Sequence, residues 1–221
     1  MDPRTEGLRQ AQRLSRLVGR AVEDSGSSAA EVSRRLGRSS GYLGRVLSGR
    51  LPLRIGEVFA LLEVLDQHPG AFFERHFPLG GREVQALTEK AGGAGESGAA
   101  SLGDLLELAA CARPVPPAGQ LLERTAGLLR ARMAGARRSL RAASAGLGLA
   151  RQGLARALRR PERLAAWHVF GALAAIGMTP ARFFAEVFAP AEANLPPLLS
   201  QSELLDALEH LLSRLAGAAC A

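Results

Sequence analysis

The chain has 221 residues, 47% of them hydrophobic, 22% charged and only 5% aromatic, with a net charge of +7 carried almost wholly by arginine. This is long enough for one or two ordinary domains, and the composition is that of a folded chain, which excludes a disordered or collagen-like polymer. No charged-then-apolar leader opens it, and no apolar run approaches membrane-spanning length, so membrane insertion is not expected.

From the N-terminus, residues 8 to 24 place Leu14, Leu17, Val18, Ala21 and Val22 on one stripe, which predicts an amphipathic helix ending at "DSGSS". A second helix is expected from Ala29 to Leu36, with Gly37 in the turn that follows. Ser39 is placed to cap a third, running to Leu47 and ended by Gly49. A fourth covers roughly 54 to 66, and Pro69 opens a short fifth that buries Phe72, Phe73 and Phe77. No stretch shows the strict alternation of Val, Ile, Thr and Tyr that a strand needs, so the fold class is all-α.

The segment "PLGGREVQALTEKAGGAGESGAAS" (78 to 101) is rich in Gly, Ala and Ser and reads as a flexible linker. A short helix at about 102 to 112 follows, stopped by "RPVPP". The pattern of the first half then returns: residues 125 to 188 overlie 14 to 77 without a gap at an offset of 111. Val58, Phe59, Leu62, Pro69, Phe72, Phe73 and Phe77 meet Val169, Phe170, Leu173, Pro180, Phe183, Phe184 and Phe188. Upstream, Ser33, Leu36, Gly37, Leu43, Arg45 and Leu47 meet Ser144, Leu147, Gly148, Leu154, Arg156 and Leu158. Identities at helical spacing mean two copies of one fold. The expected organisation is a first domain at 8–78, a linker with one short helix at 79–118, a second domain at 119–190, and a C-terminal turn and amphipathic helix at 191–221. Leucines along 202–216 make that last helix a candidate for pairing two chains.

The corner between the second and third helices carries the most information. Counting Ala29 as position one, Ser33 stands at five, Gly37 at nine and Leu43 at fifteen. A small side chain there lets two helices cross closely, glycine allows the sharp turn, and leucine fills the wedge. With the preceding amphipathic helix, "YLGRVLSGR" and "LLEVLDQHPGAFF", these residues resemble the helix-turn-helix of the lambda-repressor-like (XRE, Cro-type) family of DNA-binding proteins. The resemblance covers 14 to 77 and, through the repeat, 125 to 188. It implies two tandem five-helix domains, double-stranded DNA as partner, and a third helix lying in the major groove.

Carried onto this chain, the resemblance makes 39–48 and 150–160 the recognition helices. In the first copy Ser39, Ser40 and Arg45 would face bases, Arg38 and Arg50 would flank them toward phosphates, and Tyr42 is either a backbone contact or a packing residue. In the second copy Arg151 and Gln152 replace Ser40 and Gly41, Arg156 matches Arg45, and Arg159, Arg160 and Arg163 extend the positive strip. Arginine and glutamine can read guanine and adenine edges bidentately. Residues 14 to 77 hold nine arginines and seven acids, whereas 125 to 188 hold eleven and two, so the basic character belongs to the second copy. There Ala150 stands where Ser39 did, a change expected to weaken the start of that helix by about 1 kcal/mol.

Other chemistry is thinly represented. His68, His76, His168 and His210 have no metal-ligand spacing to one another or to Cys111 and Cys220, so neither a metal nor a cofactor is expected. There is no Gly-rich phosphate loop, nucleophile elbow or placed carboxylate pair, which argues against an enzyme. Two cysteines without a visible disulfide framework suit a reducing compartment, and the expected setting is cytoplasmic and nucleoid-associated. A transcriptional regulator or nucleoid-type protein is the leading reading. A helical adaptor that binds protein, as a defence or toxin partner would, with one or both reading faces idle, is the rival.

Overall fold

A computed structural model describes residues 2–78 and 116–189; the short helix expected at 102–112, the C-terminal helix and both cysteines lie outside them. Ten α-helices occur among the described residues, five in each repeat. The first repeat holds α1 (Pro3–Asp24), α2 (Ala29–Arg35), α3 (Tyr42–Leu47), α4 (Ile55–Val64) and α5 (Pro69–His76). The second holds α6 (Ala118–Gly135), α7 (Leu140–Gly146), α8 (Gly153–Arg159), α9 (Ala166–Ala175) and α10 (Pro180–Phe188), with a 3₁₀ turn at Pro161–Arg163. The only β-pairing among the described residues is an isolated antiparallel bridge between Arg54 and Ala165.

Local chemistry explains most of the boundaries. Asp2 caps α1 by accepting from the Thr5 N–H at 2.9 Å, and Pro3 occupies the first helical position, where its missing N–H costs nothing. That start lies five residues ahead of residue 8, where the sequence places the beginning of the helix. Ser28 and Ser139 cap α2 and α7 in the same way. Gly37 and Gly148 take up the left-handed turn at φ +68° and +66°, which a side chain would strain.

The start of α3 departs from expectation. Gly41, not Ser39, is its N-terminal boundary residue, and no side chain of the preceding turn caps it. The helix is held instead by Ser33 from across the corner: its buried Oγ donates to the Ala29 carbonyl at 2.6 Å and accepts from the Leu43 N–H at 3.0 Å. Ser144 repeats the arrangement toward Leu140 and Leu154 at 2.7 and 3.2 Å. Ala150 therefore costs α8 no cap, because the hydroxyl that matters is still present. The small residue at the corner is a hydrogen-bonding hinge pin as well as a packing allowance.

The two repeats share one hydrophobic core, built from residues 2–78 and 116–188. They meet about a local pseudo-twofold, in which several contacts have a mate with the repeats exchanged. The Ile55 N–H donates to the Leu164 carbonyl at 3.0 Å, and Ala166, the equivalent of Ile55, donates to Leu53 at 2.8 Å. Phe59 sits edge-on to Phe188 at 6.0 Å, while their equivalents Phe170 and Phe77 stack at 5.6 Å. Phe73 and its own equivalent Phe184 stack on the axis at 3.9 Å between ring centroids. The first helix of each repeat packs on the fourth helix of the other, α1 along α9 and α6 along α4. This is the self-complementary geometry of a twofold dimer, built within one chain.

Candidate nucleic-acid interface

The corner helices α3 and α8 are seated by their apolar faces. Leu43 and Val46 are buried in the first repeat, and Leu154, Ala157 and Leu158 in the second. This leaves the opposite faces to solvent. In the first repeat Arg38, Ser39, Ser40, Arg45 and Arg50 are exposed. In the second, Arg151, Gln152, Arg156, Arg159, Arg160 and Arg163 are exposed. The helices are shorter than 39–48 and 150–160, so the residues divide between elements. Ser39, Ser40, Arg151 and Gln152 belong to the turns ahead of the helices, Arg45, Arg156 and Arg159 to the helices, and Arg160 and Arg163 to the segment after α8.

The two copies differ in how free these groups are. In the first, Glu57 on α4 collects the neighbourhood. It accepts the Tyr42 hydroxyl and the Arg54 N–H, and pairs with Arg38 at 3.8 Å. The Arg38 guanidinium lies 5.3 Å from the Tyr42 ring centre. Burial, followed by the bond to Glu57, holds the Tyr42 hydroxyl above its ordinary pKa. Tyr42 is thus a packing residue tied to α4. Arg45 reaches back to Ser39 Oγ at 3.4 Å, a long contact that leaves most of its fork unused.

The second copy has no such sink. Among the described residues no carboxylate pairs with Arg151, Arg156, Arg159, Arg160 or Arg163. Where Glu57 stood, His168 takes over the backbone role, its Nδ1 accepting the Ala165 N–H at 3.3 Å. Burial pushes the His168 pKa down to about 4, so the imidazole is neutral near pH 7 and adds no charge. Arg130 on α6 donates to the Leu158 carbonyl at 3.2 Å and anchors the end of α8.

One basic residue next to this strip escaped the sequence reading. Arg4, at the start of α1, reaches the glycine turn of the other repeat, so close that a Cβ on Gly148 would meet its Nη1 at 2.8 Å. Only the exchange of first helices brings it there, and no local pattern signals such an exchange. No group of three His, Cys, Asp or Glu side chains able to hold a metal occurs among the described residues, and no described helix is long and apolar enough to cross a membrane. No protein-family model, curated protein or solved structure matches the chain.

Proposed function

We propose that this chain is a double-stranded DNA-binding protein, a transcriptional regulator or nucleoid-type protein of the helix-turn-helix kind, led by its second repeat. The observation that carries the reading is the run of exposed arginines at Arg151, Arg156, Arg159, Arg160 and Arg163, none of them in an ion pair with a described carboxylate, although Glu162 lies on the same turn as Arg163. An arginine strip on and flanking a seated helix suits a polyanion, because each phosphate neutralised releases condensed counterions. Arg159, Arg160 and Arg163 set register on phosphates, and Arg151, Gln152 and Arg156 supply base readout. In the first repeat Ser40, Arg45 and Arg50 contribute less, since Arg38 is already engaged with Glu57.

The pseudo-twofold supports the same reading. Proteins of this kind address two half-sites through a symmetric dimer, and here one chain presents both corners about a shared axis. A homodimer through 202–216 is then not required for two-site contact. The adaptor reading draws on the thin first-repeat face, where one arginine of the helix is free to read bases. A salt series on duplex binding separates the two, because only phosphate contacts make affinity fall steeply with salt.

A further inference from the structure

The repeat supplies an internal comparison at one corner. In the first copy the space between the start of α3 and the start of α4 is filled by the Tyr42 ring, closed below by Glu57 and covered by Arg38. The equivalent positions in the second copy are Gly153, His168 and Leu149. The aromatic plug is missing, the carboxylate has become a neutral imidazole, and the covering arginine has become leucine. Leu149 folds over Gly153, where a Cβ would meet the Leu149 Cβ at 2.8 Å, and beside it lies an open groove of about 540 Å³.

Its lining is chemically divided. Arg156, Arg159, Arg160 and Arg163 stand around it, and no carboxylate lines it. Leu149, Ala157 and the His168 ring form the apolar wall. With Nδ1 committed to the Ala165 N–H, the neutral ring carries its proton on Nε2. A groove of this volume is within the range that takes small ligands. Four arginines around the groove call for a ligand with several negative charges, and the largely apolar lining with the His168 ring calls for a flat apolar body.

We propose that the groove binds a small polyanion of the nucleoside polyphosphate class, and that its occupant competes with DNA for Arg156 and Arg159. The binding part stands on the groove alone, and the competition rests on the DNA reading above.

The test is calorimetric titration of the full chain with ATP in the absence of divalent metal, with inorganic tripolyphosphate as the charge-only probe. Duplex binding is followed in parallel, with and without ATP. His168→Glu places in the groove the acid that the first repeat carries, and a glutamate there retains the backbone cap, as Glu57 does. The expected result is that ATP binds, tripolyphosphate binds several-fold more weakly, His168→Glu weakens ATP at least tenfold, and ATP releases duplex. Arg160→Ala/Arg163→Ala gives the same loss should His168→Glu fail to fold. Intact duplex binding with no ATP binding would overturn the ligand site and leave the DNA reading standing. ATP binding unchanged in both variants would place any such site elsewhere and overturn the proposal. Tripolyphosphate as tight as ATP would remove the flat body from the ligand class. ATP binding lost in the variants by a chain that never binds duplex would uphold the ligand site and overturn the DNA reading.

Discussion

Phe73 and Phe184 stack ring on ring with their centroids 3.9 Å apart, and they are the same residue of two copies of one fold. Only a residue on a twofold axis meets its own equivalent in this way, so this contact marks the centre of the intrachain pseudo-dimer. Both rings are 1% exposed. Phe73→Ala should cost about 3–5 kcal/mol, since the cavity opens where both repeats converge. Chemical denaturation should show one cooperative transition for the two repeats together, not one repeat melting before the other.

The exchanged first helix has its own test at Gly7. A Cβ there would meet the Trp167 carbonyl oxygen at 2.6 Å and the Gly171 nitrogen at 2.8 Å, both backbone atoms that cannot swing aside. Alanine in an unobstructed helix is favoured over glycine by about 1 kcal/mol. Gly7→Ala should nevertheless destabilise the chain by about 1–3 kcal/mol, because α1 must lift from α9. A rise in thermal midpoint for this variant would contradict the close crossing.

The hinge pins predict a contrast between two serines. Ser144→Ala leaves the buried Leu154 N–H without its acceptor and should cost about 1–3 kcal/mol. Ser39→Ala should be nearly neutral, since Ser39 is exposed and caps nothing. Equal losses in thermal unfolding would restore Ser39 as the cap.

The histidines give stability a sign with pH. His168 is pushed down to about 4 by burial, and His68 and His76 are lowered in the same direction, also chiefly by burial. The unfolded chain therefore takes up protons near its ordinary histidine value of about 6.5, while folded His168 resists them until near pH 4. Stability is full above this window and falls as pH drops through it, by up to about 3 kcal/mol from His168. His168→Gln, which keeps an acceptor at the helix start, should flatten the denaturation midpoint between pH 7 and pH 5 relative to the parent chain.

How far the fold was legible follows from which interactions are local. The all-helical class and the ungapped repeat could be read directly, and α2, α4 and α5 begin at positions equivalent to the starts of α7, α9 and α10. Helical periodicity reports that Leu14 and Val18 are buried, but not which apolar surface buries them. The exchange of α1 and α6 between repeats was therefore invisible, and Arg4 with it. The Ser39 cap failed for a related reason: Ser39 has the right propensity, but Ser33 reaches the same helix start across ten residues of sequence. The candidate site was legible as a list of arginines. Its asymmetry was only half legible, because charge counting marks the second copy as basic, whereas the absence of Tyr42's counterpart matters only once Glu57 is seen beneath it.

The central claim is that the second repeat leads DNA binding, and fluorescence anisotropy on duplex DNA across a salt series tests it most directly. The full chain should bind with affinity that falls steeply with salt. In Arg151→Ala/Arg156→Ala/Arg159→Ala, binding should collapse at low salt, with the slope of log K against log salt shallower by about 2–3. Unchanged affinity and slope in that variant would move the interface to the first repeat, and no duplex binding by the parent chain at low salt would contradict the account.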